Sequence, residues 1–248
     1  MKTFAFLIAV GLITTSFNCD DSSAKTSLVN NSTNGFAVIE LFTSEGCSSC
    51  PSADNAVAKL LKEHNSNVYV LSYHVDYWDN LGWKDMFSSA AYTQLQKEYA
   101  KAFKLASIYT PQIVVNGTEQ FVGSDENKIK ATVNKDLQQP TDQNLNIEAK
   151  TNDNKTVHVS YNTNATNVKL KIVLIQLSAD NKIQRGENSG ATLHHVNIVR
   201  DIQTLSAANG NIVLKIPVGL AAKDCRIIAF TQNKTDNKIT SATEVNIQ

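Results

Sequence analysis

Phe36-Ala37-Val38-Ile39-Glu40-Leu41-Phe42-Thr43-Ser44-Glu45-Gly46-Cys47-Ser48-Ser49-Cys50-Pro51 decides how the rest of the chain is read. Its first half is a short apolar run and reads as a buried strand. Its second half leads into Ala53, Ala56, Val57, Leu60 and Leu61, apolar residues at helical spacing. Two cysteines, two residues apart, therefore stand where a strand hands over to a helix. Backbone N–H groups and the positive helix end favour a thiolate there. Pro51 suits the first helical turn, where N–H groups mostly lack intrahelical partners. Cys50, Ala53 and Val57 share one helix face, which packs on a sheet. Cys47, one turn earlier, is expected at the exposed tip. On that reading Cys47 is the attacking thiol and Cys50 the shielded, resolving one. Glu45 and Asp54 lie near the thiols in sequence and oppose the helix-end effect on Cys47.

The chain has 248 residues, 42% of them hydrophobic, and no net charge. That suffices for one large core or two small ones. No basic surplus points to nucleic acid, and past residue 20 no run is long and apolar enough to span a membrane. Lys2 followed by the apolar run Phe4 to Ile13 reads as a signal peptide, so residues 1–18 are expected to be removed on export. The destination is then an oxidising compartment, the bacterial periplasm or its membrane surface. Ser16-Phe17-Asn18-Cys19 looks like a loose lipoprotein cleavage site, and a lipid on Cys19 would be the link to the membrane. Residues 19–34 are polar and without periodicity, and read as a flexible tether. Cys225 opens the apolar run Arg226-Ile227-Ile228-Ala229-Phe230 and reads as a lone buried thiol. A bridge from Cys225 to Cys19 is the alternative.

Val68 to Val75 reads as a second strand, parallel to the first across a helical crossover. Its carboxyl end then lies beside the cysteines, where ligands of open α/β sheets bind. Tyr73, His74, Asp76, Tyr77, Trp78 and Asp79 are expected to line that mouth. Alternation puts His74 and Asp76 on one face and Tyr73 and Tyr77 on the other. A helix is expected from Asp85 to about Ala106, with Phe87, Ala91, Leu95, Tyr99 and Phe103 as its buried stripe. Trp78 and Trp83 read as covers of the core beneath it. Thr110-Pro111 leads into an apolar strand that ends in an Asn116-Gly117 turn, and Phe121-Val122-Gly123 begins the return strand. Ile129 to Leu137 closes this half as a short helix. From residue 144 the period changes to two, in about seven short runs with polar turns, the pattern of an all-β sandwich. His194 and His195 adjoin on one of these strands, point to opposite faces, and read as structural.

The order from Phe36 to Leu137 resembles the thioredoxin fold. More narrowly, several stretches resemble a family of exported bacterial proteins with a thioredoxin-like fold and no assigned function. They are Glu40 to Pro51, Tyr73 to Asp79, Tyr109 to Gln112, and Arg185-Gly186-Glu187-Asn188-Ser189-Gly190 with Leu193, Asn197 and Arg200. The resemblance implies an α/β thioredoxin-like domain with a helical insertion over residues 35–140. A small all-β, sandwich-like domain over residues 144–248 follows. It also implies a cis peptide bond before Pro111, in a loop facing the dithiol.

The function expected from these readings is thiol–disulfide exchange on a protein or a small thiol. Cys47 and Cys50 carry it, with Thr110 and Pro111 as the far wall, His74 as proton carrier, and Tyr73, Asp76, Tyr77 and Trp78 as substrate walls. Exchange needs no cofactor beyond the dithiol. The alternatives are a permanent disulfide in a non-catalytic binding lipoprotein, and a Cu(I) carrier using both thiolates and His74. Zinc is disfavoured, because no second C-x-x-C or paired histidines complete four ligands. Nothing in the sequence sets the oligomeric state.

Overall fold

In a computed structural model, which describes Met1 and residues 35–64, 66–141 and 144–248, the leading strand β1 spans Ala37–Thr43 and every residue of it is buried. Its neighbours explain why. Strand β2, Val68–His74, runs parallel to it, from Ala37↔Val68 to Thr43↔His74. Strand β3, Gln112–Val115, runs antiparallel on the other side. The crossover is helix α1, Cys50–Glu63, with Pro51 in its first turn. Cys50, Ala53, Val57 and Leu60 are buried on one face of α1, and the last three pack with Ile39, Leu41, Val70 and Ile113. Strand β4, Glu119–Val122, pairs with β3 through a turn in which Asn116 and Gly117 have φ of 46° and 71°. Positive φ at both central residues matches the twist of a tight hairpin. Helix α3, Glu126–Leu137, is capped by the Asp125 carboxylate and adds Ile129 and Val133 to the α1 layer.

Helix α2, Ala90–Ala102, covers the opposite face and begins later than the sequence predicts. Ser89 caps it by accepting from Ala91 N–H at 3.2 Å. The preceding segment is drawn away from helical geometry because Asp85 accepts from Phe87 N–H at 2.8 Å and from Glu45 N–H at 2.9 Å. The buried face of α2 is Tyr92, Thr93, Gln96, Tyr99 and Ala100, so the expected stripe is rotated and shares only Tyr99. Tyr92 and Tyr99 join Phe42, Tyr73 and Phe230 in an aromatic-rich core.

The remaining strands are β5 (Leu145–Lys150), β6 (Thr156–Thr163), β7 (Val168–Lys182), β8 (Thr192–Leu205), β9 (Asn209–Lys215), β10 (Cys225–Asn233) and β11 (Ile239–Asn246). They overturn the expected fold class, a thioredoxin-like α/β domain followed by a small all-β, sandwich-like domain. The protein is mostly β. One mixed sheet of eight strands runs β11-β10-β7-β8-β2-β1-β3-β4, and a second sheet of three runs β5-β6-β9. The joint is β2 beside β8, parallel at Ser72↔Ile198, with the Ser72 hydroxyl donating to Val196 C=O at 2.8 Å. A fully buried β2 with a bare edge would leave backbone groups without partners. A period of two marks strands and their faces, and says nothing about which distant edge each one takes.

Within this unit, Thr33–Gln248, the smaller sheet lays Val157, Val159 and Leu214 on Leu170, Ile172, Leu174 and Ile227 of the larger one. Cys225 is a free buried thiol in that core, and burial pushes its pKa up to about 11. The expected signal segment beyond Met1, Cys19 and the tether lie outside the described residues. No helix among the described residues is long and apolar enough to cross a membrane.

Candidate functional site

Cys47 and Cys50 form a disulfide where β1 gives way to α1. The turn that carries it is tight. Cys47 N–H donates to Ser44 C=O at 3.2 Å, and Gly46 N–H to the Ser44 hydroxyl at 3.1 Å. A side chain at Gly46 would begin 3.0 Å from Trp78 Cβ, so the turn and the Trp78 loop approach as closely as glycine allows. Contrary to the expected exposed tip, Cys47 is only 1% exposed, while Cys50 is fully buried, as its shielded position predicts.

The cover comes from the turn between β7 and β8. Asn188 Nδ2 donates to the backbone carbonyls of Glu45 at 2.8 Å and Cys47 at 3.0 Å. The Glu187 carboxylate accepts from Ser48 N–H at 3.0 Å, and the Ser48 hydroxyl together with that N–H holds the carboxyl below its usual range. Gly186, at φ 77°, lies where a Cβ would meet Trp83 Cβ at 3.1 Å. This is the Arg185-to-Gly190 stretch of the sequence resemblance, placed directly over the dithiol.

Beneath the dithiol loop lies a group of buried ionisable side chains. His74 Nδ1 is 2.7 Å from Asp85 Oδ2, both residues being essentially inaccessible. Burial pushes the Asp85 carboxyl up, but His74 and the N–H groups of Glu45 and Phe87 outweigh it and leave it lowered. The His74 ring meets the His195 ring edge-on, centroids 4.8 Å apart. His195 Nε2 is 3.3 Å from Glu45 Oε1, and its Nδ1 is 3.5 Å from Asp54 Oδ2. Neither contact has hydrogen-bond alignment, so charge holds this imidazole in place. Burial lowers the His195 pKa, yet the Asp54 and Glu45 carboxylates raise it on balance to about 9. Glu45 also accepts from Trp83 Nε1 at 2.7 Å and from Asn181 Nδ2 at 2.9 Å. Asp54, four residues after Cys50 on α1, shares its face.

Other predicted residues distribute unevenly. The Thr110–Pro111 bond is cis, as expected. Thr110 Oγ1 accepts from Trp78 Nε1 at 2.9 Å, so Trp78 links this loop to the dithiol turn. Pro111 reaches the α1 layer through Gly123, where an added Cβ would lie 3.2 Å from Pro111 Cβ and 3.1 Å from Ala53 Cβ. Tyr77 packs beside Trp78, centroids 6.3 Å apart, and is half-buried. Tyr73 is not at the mouth. It is fully buried on the α2 face, stacked on Phe42 with centroids 5.4 Å apart. Asp76 lies past the end of β2 and is tied to Thr93 of α2. Sequence reasoning passed over His195, Asn188 and Trp83 as parts of this site. Alternation on β8 did signal that only one of His194 and His195 points inward. His194 is exposed beside Asp180 at 2.7 Å. Among the described residues no group of three or more His, Cys, Asp or Glu is arranged to hold a metal ion.

A family model for DUF1223, described as a protein of unknown function, matches residues 38–232, and the chain belongs to that family. The crystal structure of protein AGR_C_4864 from Agrobacterium tumefaciens is similar, with 28% identity and a TM-score of 0.61 over 84% of this chain and 93% of that one. HBP35 of Porphyromonas gingivalis aligns with 19% identity and a TM-score of 0.56 over 86% of this chain and 76% of that one, a likeness of fold alone. Comparison with curated proteins found no match.

Proposed function

We propose that this is an exported thiol–disulfide exchange protein whose Cys47–Cys50 pair cycles. The reading rests on one observation: Glu45 and Asp54, which flank the disulfide at the start of α1, hold a buried His195 between them. A crosslink needs no such charge, whereas a cycling dithiol must take up and release protons next to the sulfurs. In the reduced protein the Cys47 thiolate attacks a substrate disulfide. The S–S bond breaks, one substrate thiolate leaves, and Cys47 is joined to the other half. Cys50, as thiolate, then attacks Cys47 sulfur, closes the internal disulfide and releases the second substrate thiolate. The two leaving thiolates take the protons that Cys47 and Cys50 gave up, and two molecules of a small thiol such as glutathione return the pair to the dithiol by the reverse exchange, leaving as their own disulfide. The signal-like run Phe4 to Ile13 supports export, and Cys19 is the residue that a lipid would modify. Closure of the Asn188 cover means that the β7–β8 turn lifts before a substrate enters.

Disulfide exchange of the full chain with insulin and with glutathione tests this. Wild type exchanges, Cys47→Ser does not, and Cys50→Ser accumulates mixed disulfides, because Cys47 attacks and nothing resolves the product. The burial of both sulfurs favours a second reading, a permanent crosslink in a binding protein. A wild-type disulfide that resists glutathione and shows no exchange selects it.

A further inference from the structure

On the opposite side of β1 a buried lysine has no ion-pair partner among the described residues. Lys171 of β7 is 5% exposed, and among the described residues its ammonium makes no ion pair or hydrogen bond. It sits instead over two rings, 5.5 Å from the Phe230 centroid and 5.9 Å from that of Tyr99. Such contacts offset part of the desolvation of an ammonium and leave its hydrogen-bonding capacity unused. Lys171 lines a cavity of about 270 Å³ between α2 and strands β7, β8 and β10. Tyr92, Leu95 and Ile202 form its apolar wall.

We propose that this cavity binds a small organic monocarboxylate, its anion on Lys171 and its apolar body on Tyr92, Leu95 and Ile202. The charge around the ammonium selects that class. Lys169 and Glu98, both exposed, line the same cavity and offset each other, so a single buried positive centre remains. A phosphate dianion would meet Glu98 with no second buried cation to balance it. Glu40 lies beneath, takes the Tyr99 hydroxyl on Oε2, and leaves Oε1 without a partner. Glu40 makes no ion pair with Lys171 among the described residues, and burial raises its pKa against the lowering pull of Lys171 and Tyr99. A volume near the small end of ligand sites suits a ring or short chain.

The test is calorimetric titration of the full chain with acetate, hexanoate and phenylacetate, with phenylacetamide as the uncharged counterpart. Phenylacetate or hexanoate is expected to bind saturably at one site, at least tenfold tighter than the amide. Lys171→Met keeps the stem and removes the charge, and is expected to weaken phenylacetate at least tenfold. Leu95→Trp fills the cavity without touching the lysine and is expected to weaken the carboxylates and the amide alike. It keeps the test valid should Lys171→Met fold poorly. No saturable binding of any carboxylate, amide binding as tight as phenylacetate, or undiminished binding by Leu95→Trp overturns the proposal. None of these outcomes depends on the dithiol.

Discussion

The sheet buries charge on both of its faces, and the two sides handle it differently. On the α1 side His195 lies within 3.5 Å of both Glu45 and Asp54, and His74 is 2.7 Å from Asp85. On the α2 side Glu40 and Lys171 are equally buried, but no ion pair joins them among the described residues. Burial lowers the lysine pKa and raises that of the glutamate, with each opposing the shift of the other. A low-dielectric interior tolerates a charge that is paired, or a group that gives its charge up. The first solution pairs each buried histidine with a carboxylate. The second leaves an open cavity lined by a lysine that has no ion-pair partner among the described residues.

Breaking the paired side has the largest expected effect. Glu45→Gln leaves His195 and Asn181 short of an anion at a buried site, and a loss of about 3–5 kcal/mol is expected in urea unfolding. A loss under about 1 kcal/mol would show that the cluster is not held by charge. Next comes pH. The His195 pKa is raised from 6.5 to about 9 in the folded chain. Its contribution is therefore complete below pH 6.5 and lost as pH rises through about 9, a span worth about 3 kcal/mol. His195→Asn is expected to flatten that part of the stability profile, and an unchanged slope would remove His195 as its source. Asn188→Ala deletes the hydrogen bonds to Glu45 and Cys47 carbonyls, for about 1–2 kcal/mol. Reduction of the disulfide by dithiothreitol is expected to speed up several-fold in this variant, and an unchanged rate would show that Asn188 does not gate access. The smallest effect belongs to the unpaired side. Glu40→Gln still accepts from Tyr99 and is expected to shift stability by less than about 1 kcal/mol. A loss matching that of Glu45→Gln would erase the contrast between the two faces.

Much of β1, α1 and β2 was legible, because local period and the strand-to-helix switch carry them. The Asn116-Gly117 hairpin was legible from its turn residues. The start of α2 was misread. Asp85 gives its carboxylate to Glu45, Phe87 and His74, and the helix begins only after its cap, Ser89. The site divides the same way. Cys47 and Cys50 follow from neighbours in sequence, and the cis Thr110–Pro111 bond from the resemblance to the thioredoxin fold. Asn188 meets Glu45 across 143 residues of chain and His195 meets it from further still, and no periodicity encodes either meeting.

The joint between β2 and β8 also orders events in time. Ser72 and Val196, bonded across it, are 124 residues apart. Pairing at such separation is slow compared with closing the β1-α1-β2 crossover. A chain emerging from its amino end thus presents both cysteines before the turn that will cover them has been made. The sulfurs have a window in which an external oxidant reaches them freely, and that window closes when the last third of the protein docks.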